Sequence, residues 1–198
     1  MTQVDEHSDK ILLDRMSCGE ENAFPELYHR HKDAIFRFAF RLLGSLEQAE
    51  DVTHDCFLSL INHPARFDAR KASLRTYLYA AARNLACAQL RRSRYETCLS
   101  LNETGIAAVS DEPLLHVLGE EIAGEVRKAI SKMSPLQREV VVLFEYEEQS
   151  LEEIAAILKT HAGTIKSRLH RGREWLRREL APYFNGGAGR RRGKSNHE

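Results

Sequence analysis

The sequence predicts an all-α protein, with two small helical domains joined by a flexible acidic linker. Apolar residues recur at three- and four-residue spacing over most of the chain, as on one face of a helix. The formal net charge is zero, but residues 66–95 hold eight basic and one acidic side chain, and residues 163–198 hold ten and three. Between them, residues 96–125 hold seven acidic and no basic side chains. Two separated basic segments indicate a chain that meets a polyanion at two places.

Three helices and a loop are predicted for the first module, residues 20–95, which follows an N-terminal segment, residues 1–19. The inner face of the first helix consists of Phe24, Leu27, Tyr28, His31, Ile35, Phe38 and Leu42, and Gly44 ends it. A second helix runs from about Leu46 to Asn62, with Val52, Cys56 and Leu60 inside and Glu47, Glu50, Asp51 and Asp55 outside. Ser73 caps a third helix, with Leu74, Leu78, Ala81 and Leu85 facing inward.

The second module, residues 118–182, follows a linker at 96–117 that is rich in Ser, Thr and Asn and is expected to be mobile. A helix from about His116 to Lys132 opens it, and two capping boxes are predicted, at Ser134 and at Ser150. The tail, residues 183–198, is Gly-rich and basic, which is typical of disorder.

A short helix, the break "KTHA" and a basic helix follow Ser150, which is the layout of a helix-turn-helix. An apolar stripe of Ile165, Leu169, Leu176 and Leu180 would bind the basic helix to its own domain. Base edges would then be met by Lys166, Ser167, His170 and Arg171, and phosphates or solvent by Arg168, Arg173 and Arg177. The alternative is a cationic helix whose polar face is merely solvated.

Several classes of function find no support in the sequence. The first residues, "MTQVDEHSDK", lack the pattern of a secretory signal, and no apolar run approaches the roughly 20 residues of a membrane span, so a cytoplasmic protein is expected. Cys18, Cys56, Cys87 and Cys98 have no metal-ligand spacing and are expected to be reduced thiols. No phosphate loop, nucleophile elbow or paired-carboxylate site appears, so neither enzymatic activity nor a cofactor or metal is expected.

Two blocks of sequence resemble a known family. The run "MSPLQREVVVLFEYEEQSLEEIAAIL" followed by "GTIKSRLHRGREWLRREL" resembles region 4 of bacterial RNA polymerase sigma factors of the extracytoplasmic-function group. "DVTHDCFLSL" and "SLRTYLYAAARNLACAQLRR" are similar to region 2 of the same family. The resemblance implies a promoter-specificity subunit that guides core RNA polymerase to the minus-35 and minus-10 elements of promoter DNA. Members of the family are commonly held by an anti-sigma factor.

The resemblance assigns roles to particular residues. Minus-35 contacts are expected from Thr164, Lys166, Ser167, Arg168, His170 and Arg171, and minus-10 contacts from Arg66, Phe67, Arg70, Lys71, Tyr77, Asn84 and Arg91. Phe67, Tyr77 and Tyr79 stand among arginines, a combination that suits the stacking of single-stranded bases. Tyr77 could equally pack in the core of the first module. The outer acids Glu47, Asp51 and Asp55 are expected to bind core polymerase, with a plain solvated face as the alternative.

The sequence departs from the family pattern at three places. Ala88 stands where an Asp is usual, and Lys159, Thr160 and His161 replace the usual Gly-containing turn. Phe144 lies where an Arg is often found. A helix-turn-helix activator of the response-regulator type is the remaining alternative; such a protein requires a receiver domain with alternating strands and helices.

Overall fold

The computed structural model describes residues 3–99 and 117–185, and every regular element within them is helical. The first part contains α1 (Gln3–Ser17), α2 (Ala23–Leu43), α3 (Leu46–Asn62), a 3-10 turn (Pro64–Arg66) and α4 (Leu74–Leu99). The second contains α5 (Val117–Lys132), α6 (Pro135–Val141), a π-helical segment (Val142–Tyr146), α7 (Leu151–Leu158) and α8 (Ala162–Asn185). The predicted all-α fold is confirmed, whereas most of the linker and residues 186–198 lie outside the described residues.

The first module is a bundle of α2, α3 and α4 around a closely packed apolar core. Phe38, Phe57 and Leu78 lie at its centre and are almost inaccessible to solvent. Gly44 ends α2 in the left-handed conformation, at φ 73°, and its N–H donates to the carbonyl of Phe40 over 2.8 Å. Ser73 caps α4, since its hydroxyl oxygen accepts from the N–H of Thr76 over 3.2 Å.

Helix α1 packs on α2 through a buried carboxylate that sequence reasoning did not anticipate. Asp9 is 4% exposed, and its two oxygens contact Arg30 Nη1 at 2.9 Å and His31 Nε2 at 2.8 Å. His31, considered above only for metal binding, is therefore an ion-pair and hydrogen-bond partner within the N-terminal helices. Cys18, Cys56 and Cys87 are free thiols; the side chain of Cys98 lies outside the described residues.

The second module confirms one of the two predicted capping boxes. At Ser150 both reciprocal bonds form: Glu153 N–H donates to the hydroxyl over 3.2 Å, and Ser150 N–H donates to the Glu153 carboxylate over 2.7 Å. The box predicted at Ser134 was wrong, because its side chain makes no capping bond. The Ser134 carbonyl instead accepts from the N–H of Gln137 over 3.0 Å, so this donor is already satisfied.

A close approach of two helices sets the position of α8. A Cβ built on Gly172 would lie 2.5 Å from Val141 Cγ2 of α6, a separation that packed carbon atoms do not tolerate. Ile165 and Leu169 are buried on the same side of α8, and Leu176 is partly buried. The predicted apolar stripe therefore seats α8 on α6 and α7, and glycine at 172 permits the distance.

Candidate nucleic-acid interface

The turn between α7 and α8 is tight and has left-handed backbone at a residue other than glycine. Lys159 ends α7 at φ 50°, ψ 51°, and the N–H of Thr160 donates to the carbonyl of Ala155 over 3.0 Å. The carbonyl of His161 then accepts from Thr164 and Ile165, which starts α8. The unusual sequence at 159–161 thus still forms the sharp turn of a helix-turn-helix.

The first turns of α8 present polar side chains away from the apolar stripe. Lys166, Ser167, His170 and Arg171 are exposed, whereas Thr164 and Arg168 are half-buried. The Ser167 hydroxyl donates to the carbonyl of Thr164 over 2.9 Å, which leaves its oxygen able to accept. Within the part of the chain that the structure describes, Lys166, Arg168 and Arg171 form no ion pair, so their charges remain available to a ligand.

Two later arginines of α8 have partners inside the second module. Arg173 Nε donates to the Glu145 carboxylate over 2.7 Å, and its guanidinium lies 5.1 Å from the ring centroid of Phe144. Arg177 pairs with Glu174 one turn earlier and remains largely exposed. The cations of α8 therefore divide into a group free of ion pairs near its N-terminus and a group paired with neighbouring carboxylates.

The loop before α4 brings together the aromatic and basic residues expected at the second site. Phe67 and Tyr77 form an edge-to-face pair, with ring centroids 5.4 Å apart. Arg66, Arg70 and Lys71 are exposed around this pair. The pair accounts for the partial burial of Tyr77, which raises the pKa of its phenol, and leaves part of each ring accessible.

Asp68 organises the cations of this loop. Its carboxylate accepts from Arg70 Nε over 2.9 Å and from the Arg70 backbone N–H over 3.1 Å. These bonds from Arg70 hold the pKa of Asp68 below its usual value, so the carboxylate is charged at neutral pH. Lys71 lies 3.7 Å from the same carboxylate. The loop thus retains net positive charge with Arg70 held in place.

Helix α4 carries the remaining predicted residues on two different faces. Asn84 and Arg91 are exposed and lie two and four turns beyond Tyr77, on the same side of the helix. The expectation that Tyr79 also serves as a base platform was wrong: its side chain is fully buried against Phe38, with ring centroids 5.2 Å apart. Two residues along a helix change direction by about 200°, so Tyr77 and Tyr79 cannot share a face.

The acids Glu47, Asp51 and Asp55 are exposed along one side of α3. None of them pairs with a cation among the described residues. Leu46, Leu58 and Ile61 of the same helix are each about 40% exposed. An apolar surface edged by unpaired carboxylates is typical of a protein-binding site rather than of a DNA-binding one.

Sequence reasoning missed a set of contacts between the two modules. Glu139 of α6 and Glu147, which follows the π-helical segment, are 4% and 3% exposed and bind side chains of α2 and α4. Residues 126–162 carry five basic and six acidic side chains, so their charge sum hides these carboxylates. Burial of a carboxylate in contact with a distant helix leaves no local signal in the sequence.

An exposed recognition helix in one helical module and a basic aromatic loop in another define a DNA-binding protein with two separate contact surfaces. Comparison with known families agrees. The chain matches Sigma-70 region 2 over residues 27–95 and Sigma-70 region 4 over residues 123–176. The ECF RNA polymerase sigma factor SigW of Bacillus subtilis is 32% identical over 180 residues, which cover 86% of this chain and 96% of SigW. SigE of Mycolicibacterium smegmatis is 29% identical, over 90% of this chain and 70% of its own length.

Solved structures give the same result. The sigma factor RpoE of Bartonella quintana, in complex with the anti-sigma factor NepR, superposes with a TM-score of 0.68 at 26% identity, over 80% of this chain and 96% of RpoE. CnrH, in complex with the cytosolic domain of CnrY, shares the fold, with a TM-score of 0.67 and 23% identity over 88% of this chain and 97% of CnrH.

The chain belongs to the extracytoplasmic-function RNA polymerase sigma factors. It is a promoter-specificity subunit that binds core RNA polymerase and directs initiation at minus-35 and minus-10 elements. The response-regulator alternative is not supported, because the described residues before the second module form helices and contain no strand. No helix in the described ranges combines the length and apolar character needed to cross a bilayer.

Proposed function

We propose that α8 reads the minus-35 element in the major groove. The observation that carries this proposal is the arrangement of α8: Ile165 and Leu169 are buried, and Ser167, His170 and Arg171 are exposed on the other side. Residues near the N-terminus of a recognition helix meet base edges. Thr164, Lys166 and Arg168, close to the turn, are suited to the flanking phosphates.

The minus-10 element is assigned to the first module. An unpaired base would stack on the accessible part of the Phe67 and Tyr77 rings, while Arg66, Arg70 and Lys71 neutralise the backbone beside it. Asn84 and Arg91, exposed on the same side of α4, would extend the contact along the strand. The mixed edge-to-face geometry of the two rings supports an open platform rather than a closed core.

Core polymerase is assigned to α3. Glu47, Asp51 and Asp55 repel DNA and attract a basic protein surface, and the exposed leucines beside them supply apolar area. The chain would contribute no catalytic group of its own and would act in the cytoplasm, where polymerase and promoter are found. RpoE and CnrH were each solved with an inhibitory or regulatory partner, which supports an anti-sigma factor as a further partner of this chain.

Transcription in vitro with purified core polymerase and a promoter library tests the whole assignment. Addition of the chain should give initiation from a subset of promoters that share two spaced elements, and the free chain should bind the same DNA weakly. Sequence-specific initiation that fails to appear, together with tight specific binding by the free chain, would contradict the assignment.

The role of α3 is tested separately, by the triple variant Glu47→Gln, Asp51→Asn, Asp55→Asn. A matched control neutralises three other exposed acids that form no ion pair among the described residues, Glu21, Asp33 and Glu152. Only the α3 variant should weaken binding to core polymerase, by about tenfold or more, since rim charges alter association rates strongly. Equal binding by the two triple variants would show that α3 is merely solvated.

A further inference from the structure

The two modules are joined by polar contacts between buried carboxylates of the second and cations of the first. The Glu147 carboxylate accepts from Arg41 Nη1 over 2.9 Å and from the Tyr79 hydroxyl over 2.8 Å. Its backbone carbonyl accepts from Arg75 Nη2 over 2.5 Å. The guanidinium of Arg41 also lies 4.4 Å from the ring centroid of Tyr146. Four side chains thus converge on a three-residue stretch of the second module.

A second carboxylate repeats the arrangement one helix away. Glu139 receives two parallel bonds from Arg83, Nε and Nη2 each lying 3.2 Å from a carboxylate oxygen. The thiol of Cys87 donates to the same carboxylate over 3.3 Å. Arg138, next in sequence, donates to the carbonyl of Leu42 at the end of α2 over 3.0 Å. Both ends of the interface are therefore closed by bonds to the first module.

The face of α4 that these contacts use differs from the face assigned to DNA. Arg75, Tyr79, Arg83 and Cys87 follow one another at four-residue intervals. At about 100° per residue they occupy one side, and Tyr77, Asn84 and Arg91 occupy another. Contact between the modules therefore leaves the minus-10 surface uncovered and acts on the distance between the two DNA-binding surfaces.

That distance is too short for a promoter. Elements centred near minus 35 and minus 10 are about 25 base pairs apart, or about 85 Å at roughly 3.4 Å per base pair. A compact chain of 198 residues has a radius of gyration of only about 16 Å. The closed arrangement can bind one element but cannot span both.

We propose that Glu139 and Glu147 form a polar latch that holds the free chain closed and that must break before the chain engages both promoter elements. The inference rests on the proposed division of DNA contacts between the modules. Buried ion pairs suit such a device: they add little net stability, because both partners regain water when the modules separate, yet they specify one docked geometry. An apolar interface of the same extent would resist opening and would expose a sticky surface.

The latch accounts for weak promoter binding by the free chain. A ligand that binds only the open form has its apparent affinity reduced by the fraction of chains that are open. Core polymerase, by binding α3 and the second module at separate places, would select the open form.

The test compares the full-length Glu139→Gln, Glu147→Gln double variant with Glu145→Gln, a matched control. Glu145 lies in the same segment but pairs with Arg173 inside the second module. Small-angle scattering of the free chain should show a larger radius of gyration for the double variant alone. Its apparent affinity for core polymerase should rise by about tenfold if about one chain in ten is open before the change. Binding of a single-stranded minus-10 oligonucleotide should stay unchanged, because that face of α4 is already free.

Variants on the other side of the interface guard against misfolding of the second module. Tyr79→Phe removes only the hydroxyl that binds Glu147 and keeps the ring that packs on Phe38. It should also increase the radius of gyration, by less than the double variant. If the double variant and Tyr79→Phe both scatter like the parent, the latch is overturned. Loss of promoter-dependent initiation by the parent holoenzyme would instead overturn the division of DNA contacts, whatever the scattering shows.

Discussion

Helices α4 and α8 are both basic, yet they use their charge differently. The cations in the first turns of α8 form no ion pairs among the described residues, and an apolar stripe fixes that helix to its own module. Two cations of α4, Arg75 and Arg83, are instead bound by groups of the second module. An apolar seat is permanent and a polar one is reversible, because charged groups regain water on separation. Positive charge therefore has to be located on a helix face before it is read as a DNA contact.

The largest expected effect comes from disturbing the apolar seat of α8. Gly172→Ala places a methyl group 2.5 Å from Val141 Cγ2, so α6 and α8 must move apart. Overpacking of this kind costs up to about 3 kcal/mol. Urea unfolding should show the loss, and minus-35 binding by the holoenzyme should fall with it.

Gly163→Ala is the matched control, because its added Cβ has no atom within 4 Å. It should leave stability equal or slightly higher, since alanine favours the helix by up to about 1 kcal/mol. Adding Val141→Ala to Gly172→Ala should recover part of the lost stability by vacating the space. If Gly172→Ala is as stable as Gly163→Ala, the glycine is not what sets the position of α8.

The free cations of α8 give the next effect. Arg171→Ala should weaken holoenzyme binding by about 1 to 3 kcal/mol and relax the preference at one minus-35 position, if the side chain reads a guanine edge. Arg177→Ala removes a cation two turns later that is already paired with Glu174. It should weaken binding to all sequences slightly and reduce the salt dependence by about one unit at most.

Selection of promoter variants by each holoenzyme distinguishes the two residues. The Arg171 variant should select an altered minus-35 base, and the Arg177 variant should retain the parental one. Retention of the parental preference by both would assign Arg171 to phosphate and leave base reading to Ser167 or His170.

On the first module, Phe67→Ala together with Arg70→Ala should leave initial promoter binding largely intact and reduce the open complex. Stacking on an unpaired base contributes ~1 to 3 kcal/mol and exists only after melting. Phe67→Leu is the informative control, because leucine keeps most of the contact with Tyr77 but offers no ring. Permanganate reactivity near the start site should fall in both variants. Unchanged reactivity with Phe67→Leu would mean that Phe67 only packs against Tyr77.

The sequence predicted those features that depend on local pattern. The bounds of α3 and the box at Ser150 follow from apolar spacing and capping chemistry, and both match the structure. The exposed side of α8 follows from the same periodicity. Helix phase could also have separated Tyr77 from Tyr79, since the neighbouring Leu78 belongs to the inner face.

Contacts between distant parts of the chain were beyond the reach of such patterns. Glu147 meets Arg41 across 106 positions, and Glu139 meets Arg83 across 56. Either carboxylate, in a segment of nearly balanced charge, is indistinguishable in sequence from a solvated surface acid. Only the packing of α2 and α4 against the second module removes them from water.

The smallest predicted effect concerns the backbone of the turn that precedes α8. Lys159 adopts φ 50°, ψ 51°, a left-handed conformation that costs a residue with a Cβ about 1 kcal/mol relative to glycine. Lys159→Gly should therefore raise the stability of the second module by about that amount. Lys159→Ala is the matched control, because it removes the same charge and keeps the Cβ. Thermal unfolding should place Gly above Ala, whereas minus-35 affinity should change equally in both, since each loses one cation beside the recognition helix. If the two variants unfold together, the turn relaxes and the strain at residue 159 is not stored in the folded chain.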